Sequence, residues 1–100
     1  MHEYIPVDEE IIDLAAFLKT FGDPTRLRIL FLLLEGEQNV HDISTALELQ
    51  QPTISHQLKI LRHLRLVRYR KEGRSVWYSL NDEHIAKILT IGMEHIQEPS

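Results

Sequence analysis

A proline placed early in an amphipathic segment constrains this chain more than any other feature. Pro52 can occupy the first turn of a helix, where the amide it lacks would have no intrahelical partner, but not a helix interior. The apolar pattern around it therefore divides into two short helices joined by a tight turn. Val40, Ile43, Ala46 and Leu47 recur at spacings of three and four and share one face of the first. The second starts near Gln51, and Ile54, Leu58, Leu61 and Leu64 form its buried stripe. Its other face shows Gln51, Thr53, Ser55, His56, Lys59 and Arg62. Short hydrogen-bonding side chains can reach base edges while Lys and Arg reach phosphates, so residues 40–64 read as a helix-turn-helix with its recognition helix second.

Charge tests that reading. The whole chain carries −4 and so argues against a polyanionic partner. Its distribution argues the other way. Between residues 51 and 80 lie seven cations (Lys59, Arg62, Arg65, Arg68, Arg70, Lys71, Arg74) and one carboxylate, Glu72, a local +6 that leaves −10 on the rest. The local field decides where DNA docks, and the basic run coincides with the helix-turn-helix. A solvated basic surface is the plainer alternative.

The flanking segments complete the outline. Met1 to Val7 reads as a lead, and a first helix runs from about Asp8 to Thr20 with Ile11, Leu14, Ala15 and Leu18 as its stripe, Phe17 and Phe21 beside it, and Gly22 as its stop. Asp23 and Pro24 are a cap and first position for a helix to Leu34, apolar on most sides and so central. Leu66 to Lys71 and Ser75 to Leu80 alternate around a Glu72-Gly73 turn, predicting a β-hairpin with Arg70, Lys71 and Arg74 at its tip. A helix-turn-helix followed by a basic hairpin is a winged helix: the recognition helix enters the major groove and the wing grips flanking backbone or minor groove. Asn81 would cap a last helix, Asp82 to Ile96, whose stripe of Ile85, Ile88, Leu89, Gly92, Met93 and Ile96 has no place in a small core already covered. The expected architecture is mainly α with one hairpin, a single winged-helix domain over 1–100, with wing 66–80 and a dimerisation helix 82–96. It pairs as a homodimer through its first and last helices. No run resembles a signal peptide or could cross a bilayer, so a cytoplasmic location with no membrane partner is expected.

The last helix also carries Asp82, His84, His95 and Glu98. His95 and Glu98 share a helix face, whereas His84 and His95 lie eleven residues apart, roughly 16 Å along a helix, so one helix cannot bring all four to one ion. Two antiparallel copies can, each site taking Asp82 and His84 from one chain and His95 and Glu98 from the other. Two imidazoles and two carboxylates suit Zn²⁺, with Co²⁺ a substitute. With no cysteine in the chain, thiolate ligands and disulfides are excluded. The alternative stands beside this: polar residues are common at helix ends, and Asp82 is favourable at a helix N-terminus in its own right.

Taken together, the segments FGDPTRLRIL (Phe21 to Leu30), QQPTISHQLKILRHLRLV (Gln50 to Val67), KEGRSVWYSL (Lys71 to Leu80) and the terminal helix resemble the ArsR/SmtB family of metal-responsive bacterial repressors over most of the chain. The spacing Asp82, His84, His95, Glu98 resembles the zinc- and cobalt-sensing, CzrA- and SmtB-like branch, with its site on the last helix. What the resemblance implies is a dimer that binds an imperfect inverted repeat of operator DNA and leaves it when Zn²⁺ binds, derepressing efflux or resistance genes. It also implies that His95 reaches the backbone near Arg65 and so couples metal to the DNA-reading unit. The family's other common site uses cysteines near the start of the helix at Val40; Asn39, Val40 and His41 stand there instead. His41 with His2 is a weaker second candidate site. Two alternatives remain: a winged-helix repressor answering a non-metal signal, and a winged helix used for protein interaction. No nucleophile–base pair or phosphate loop points to an enzyme or a small-molecule substrate.

Overall fold

A computed structural model describes residues 3–99. Asp23 makes the first well-formed helix start: its side chain accepts the Arg26 amide at 3.0 Å, and Pro24 follows with no amide to leave orphaned. The helix so begun, α2 (Pro24–Leu34), buries Ile29, Leu30 and Leu33 and packs against α3 (Val40–Leu47), the hairpin and α5 (Glu83–Gln97). It is the central helix. α1 (Asp8–Lys19) precedes it and runs into a 3₁₀ turn, Thr20–Gly22, that ends at the expected glycine.

The helix-turn-helix forms as the proline requires. Asn39 caps α3 through the Asp42 amide at 2.8 Å, and α4 (Gln51–His63) begins one residue before Pro52. Between them Glu48 takes the left-handed conformation, φ 56°, and the Leu49 amide returns to the Ser44 carbonyl at 3.1 Å. Ile43, Ile54, Leu58 and Leu61 are fully buried. Of the other four stripe positions, Val40 and Leu47 are half-buried against that core and Ala46 and Leu64 are exposed.

Strands β1 (Val67–Glu72) and β2 (Ser75–Leu80) pair antiparallel, with Glu72 opposite Ser75. That register leaves Gly73 and Arg74 as a two-residue loop with positive φ at Gly73 alone, the pattern of a type II′ turn. Leu66 lies before the strand and is fully buried. One residue of the α2–α3 connection, Gln38, pairs with Tyr78 by two backbone hydrogen bonds, 2.8 and 3.0 Å, so the hairpin is fastened to the body along β2.

The last helix corrects one expectation. Asp82, not Asn81, is its cap, and the helix runs from Glu83 to Gln97. Asp82 Oδ1 accepts the His84 and Ile85 amides at 2.9 and 3.3 Å; Asn81 instead donates its side-chain amide to Asp82 Oδ2.

All buried apolar residues fall in one cluster, built from α2, α3, α4, the start of the hairpin and the first half of α5. α1 buries none of its residues, and Ile91, Met93 and Ile96 of α5 are exposed. The radius of gyration is 15.5 Å against roughly 13 Å for a compact chain of this length. The excess reflects an elongated outline, 54 × 34 × 21 Å along its principal axes. No described helix is long and apolar enough to cross a membrane.

Candidate DNA interface and metal-ligand pairs

The nine side chains expected at DNA, Gln51, Thr53, Ser55, His56, Lys59, Arg62, Arg70, Lys71 and Arg74, are all exposed. They lie on α4 opposite its buried stripe and on the hairpin. Arg26 fixes the orientation of α4 from below, its Nε donating to Gln57 Oε1 at 3.0 Å.

Three of the nine are engaged within the chain. Gln51 Nε2 lies 3.2 Å from His41 Nδ1, joining the first turns of α3 and α4. The Arg62 guanidinium stacks over the Tyr69 ring, 4.5 Å from its centroid, and Tyr69 leans on Tyr78 across the hairpin. Arg70 Nε and Nη2 grip both oxygens of Glu37 at 2.9 and 3.0 Å, and Nη1 reaches Glu72 at 2.8 Å. The Arg70 hydrogen bonds hold the Glu37 carboxyl below its ordinary value; partial desolvation opposes this, and the charges of Arg70 and Arg68 add to it. The same pairings, to Glu37 first and Glu72 second, raise Arg70 above the usual guanidinium range. Neither Lys71 nor Arg74 has an ion-pair partner among the described residues.

The four candidate metal ligands stand as two pairs at opposite ends of α5. His84 Nδ1 lies 3.5 Å from Asp82 Oδ1, and His95 Nδ1 lies 3.8 Å from Glu98 Oε1. Two ligands about 2 Å from a tetrahedral ion are about 3.3 Å apart, so each pair is within a few tenths of an ångström of chelating geometry. The donor set, nitrogen and carboxylate oxygen, fits Zn²⁺ or Co²⁺. Among the described residues no three metal-binding side chains converge within the chain, as the helix length requires. Partial desolvation pushes the Asp82 carboxyl up. The Asn81 side chain, the Ile85 and His84 amides and the His84 charge outweigh it and hold the group below its ordinary value. Within the chain the His95 ring faces Glu98, and no hydrogen bond links it to Arg65, which occupies the tight turn after α4 with φ 62°. Of the weaker pair, His41 is occupied by Gln51 and His2 lies outside the described residues.

Sequence reasoning missed Glu37, Tyr69 and Gln57. Each acts through a partner in another element, and Glu37 and Arg70 are separated by 33 positions, so no local pattern announces them.

Five helices, a hairpin after the second helix of a helix-turn-helix, and a cationic exposed face define a winged helix-turn-helix regulator of the DNA-binding class. The chain belongs to the arsR family of bacterial regulatory proteins, whose profile matches residues 23–69. It is 41% identical over 85 residues to the transcriptional repressor SmtB homolog of Synechocystis, aligning 85% of this chain and spanning 64% of that protein's length. It is 40% identical over 88 residues to the cadmium resistance transcriptional regulatory protein CadC homolog of Staphylococcus aureus, covering 87% of this chain and 73% of that one. Among solved structures, the solution structure of apo-NmtR superposes with a TM-score of 0.80 at 36% identity, over 95% of this chain and 81% of the other. A homodimeric winged helix-turn-helix DNA-binding domain from Mycobacterium bovis gives 0.84 at 28% identity, over 98% and 92%.

Proposed function

We propose that this protein is a homodimeric repressor that binds operator DNA and releases it when Zn²⁺ binds at two sites, each shared between the last helices of two chains. The observation that carries the reading is the division of the ligands. Asp82 with His84, and His95 with Glu98, are each preformed pairs of two, at opposite ends of a helix whose far half exposes apolar side chains. An antiparallel partner helix covers that surface and completes both sites with one operation. A relative named as a repressor and another named for cadmium resistance support the same reading.

On the DNA side, Gln51, Thr53, Ser55 and His56 are the candidate base readers and Lys59, Arg62, Lys71 and Arg74 the candidate phosphate contacts; Arg70, expected among the latter, is tied to Glu37 and Glu72. Two recognition helices would address half-sites about one helical turn apart in an imperfect inverted repeat. A metal ion bound at the shared sites would supply a cross-link that fixes the angle between chains. In that arrangement the two α4 helices no longer match successive major grooves. Reciprocity follows: DNA must weaken metal binding by the factor by which metal weakens DNA binding.

One observation favours a second reading. Asp82 already serves as the cap of α5, which explains one of the four residues without any metal. In that case the fold and the DNA role stand and the repressor answers a non-metal signal. Fluorescence anisotropy of an imperfect-palindrome duplex selected from random DNA separates the two. Release of the duplex by stoichiometric Zn²⁺, lost in His95→Asn while DNA binding persists, supports the metal reading. Tight binding indifferent to Zn²⁺ supports the other.

A further inference from the structure

Resting on the DNA-binding reading above, we propose that Glu37 is a positioning residue for operator binding: it grips Arg70 and so sets the angle of the wing. Arg70 then acts as a strut, and phosphate contact at the wing falls to Lys71 and Arg74.

The geometry is more than a surface ion pair. Arg70 presents Nε and Nη2 to the two oxygens of Glu37 side by side, the bidentate arrangement that adds orientation to attraction. Glu72 takes the remaining edge through Nη1. With two carboxylates on one guanidinium, the group carries no net positive charge for a phosphate to seek. Its carboxylate partner comes from outside the hairpin. Glu37 belongs to the α2–α3 connection, and its neighbour Gln38 is paired to Tyr78 of β2. Gln38 faces Tyr78, which faces Tyr69; Glu37 is therefore in register with Ser79 and Arg68, on the same sheet face as Arg70. Glu37 thus reaches across β2 to β1. On the opposite face Arg62 of α4 lies over Tyr69. The hairpin is held from both sides by residues of the body.

A two-stranded hairpin has little rigidity of its own. Five of six residues of β1 are exposed, so apolar burial does little to hold its outer end. The clamps then decide where Lys71 and Arg74 stand relative to α4. This gives an effect of unexpected sign. On charge alone, removing a carboxylate from a DNA-facing surface strengthens binding. If Glu37 positions the wing, removing it weakens binding.

The test is a set of anisotropy titrations of the full chain on the selected operator duplex at several salt concentrations, with Glu37→Gln, Arg70→Gln, the double variant and Lys71→Gln. Each exposed pair is worth little, so the loss for Glu37→Gln is modest, about two- to ten-fold for a dimer with two wings. Arg70→Gln should lose a similar factor, and the double variant no more than the weaker single, as expected for two members of one contact. Without the clamp the wing still docks Lys71 and Arg74 on phosphate but must first be ordered, so the salt slope should stay unchanged in all three, while Lys71→Gln lowers it by about 0.9 for each phosphate contact removed. Equal or tighter binding by Glu37→Gln overturns the proposal, as does a flattened slope in Arg70→Gln, which would make Arg70 a phosphate contact. If the unaltered protein shows no salt-dependent binding, the DNA reading fails and this inference falls with it. Normal binding with an indifferent Glu37→Gln refutes the inference alone.

Discussion

The helix-turn-helix and the last helix are both amphipathic, yet only the first is finished within one chain. α3 and α4 bury their stripes completely at the centre, take caps from Asn39 and the left-handed Glu48, and are pinned from below by Arg26 on Gln57. α5 buries Ile85 and Leu89, then runs on with Met93 and Ile96 exposed beside a groove that Phe21, Leu27 and Phe31 line from the other side. The half that reads DNA is a unit of one chain. The half that would take metal is a fragment, in its apolar surface and in its ligands alike. On the proposed reading function is divided accordingly: the recognition surface would exist before any signal, and the site for the signal would form only where two chains meet.

Substitutions sharpen this contrast most at the core. Leu58→Ala removes a fully buried side chain from α4 and should cost about 2–5 kcal/mol in urea unfolding, lowering the midpoint whatever the protein concentration. Met93→Asp places a charge on the uncovered half of α5. It should weaken self-association at least ten-fold in analytical ultracentrifugation while leaving the far-ultraviolet spectrum of the chain intact. A Met93→Asp chain that still dimerises normally would break the comparison, because α5 would then not be the unfinished surface.

Asp82 sits on both sides of the divide, as helix cap and as candidate ligand. Asn caps a helix about as well as Asp but binds a cation far less well. Asp82→Asn should therefore keep the melting temperature and operator affinity and lose about ten-fold or more in Zn²⁺ affinity by competition with a chelating dye. The smallest effect is that of pH. Glu37 and Asp82 are both held below their ordinary carboxyl values, so each favours the folded state above the unfolded value of about 4, and that contribution is lost as pH falls through the lower folded value. Stability should accordingly show no change from these groups between pH 7 and about 5. It should decline below about pH 4, and less so in Glu37→Gln.

Much of this was legible from residue order, for physical reasons that differ by element. Pro52, Asp23-Pro24 and Gly73 each punish the wrong backbone, so they placed the starts of α4 and α2 and the hairpin turn closely. The cap of α5 was misplaced by one residue because Asn81 and Asp82 are both good capping residues and only the chain path decides between them. Gly22 does end the helical run, but through a 3₁₀ turn, Thr20–Gly22, held by the Thr20 hydroxyl on the Phe17 carbonyl, which residue order did not announce. The metal-ligand candidates were legible as a spacing along one helix. The wing clamp was not, since Glu37 meets Arg70 only after α3, α4 and half the hairpin have been laid down between them.

The most direct test of the central claim, that each metal site is split between two chains, is complementation. One variant carries Asp82→Asn with His84→Asn, the other His95→Asn with Glu98→Gln. Either homodimer lacks half of both sites and should bind Zn²⁺ only weakly. A mixed dimer has one site intact and the other stripped of all four ligands. Exchanging the two variants and titrating Zn²⁺ should restore tight binding at one ion per mixed dimer. If either variant alone binds tightly, or the mixed dimer gains nothing, the ligands do not meet across the two chains.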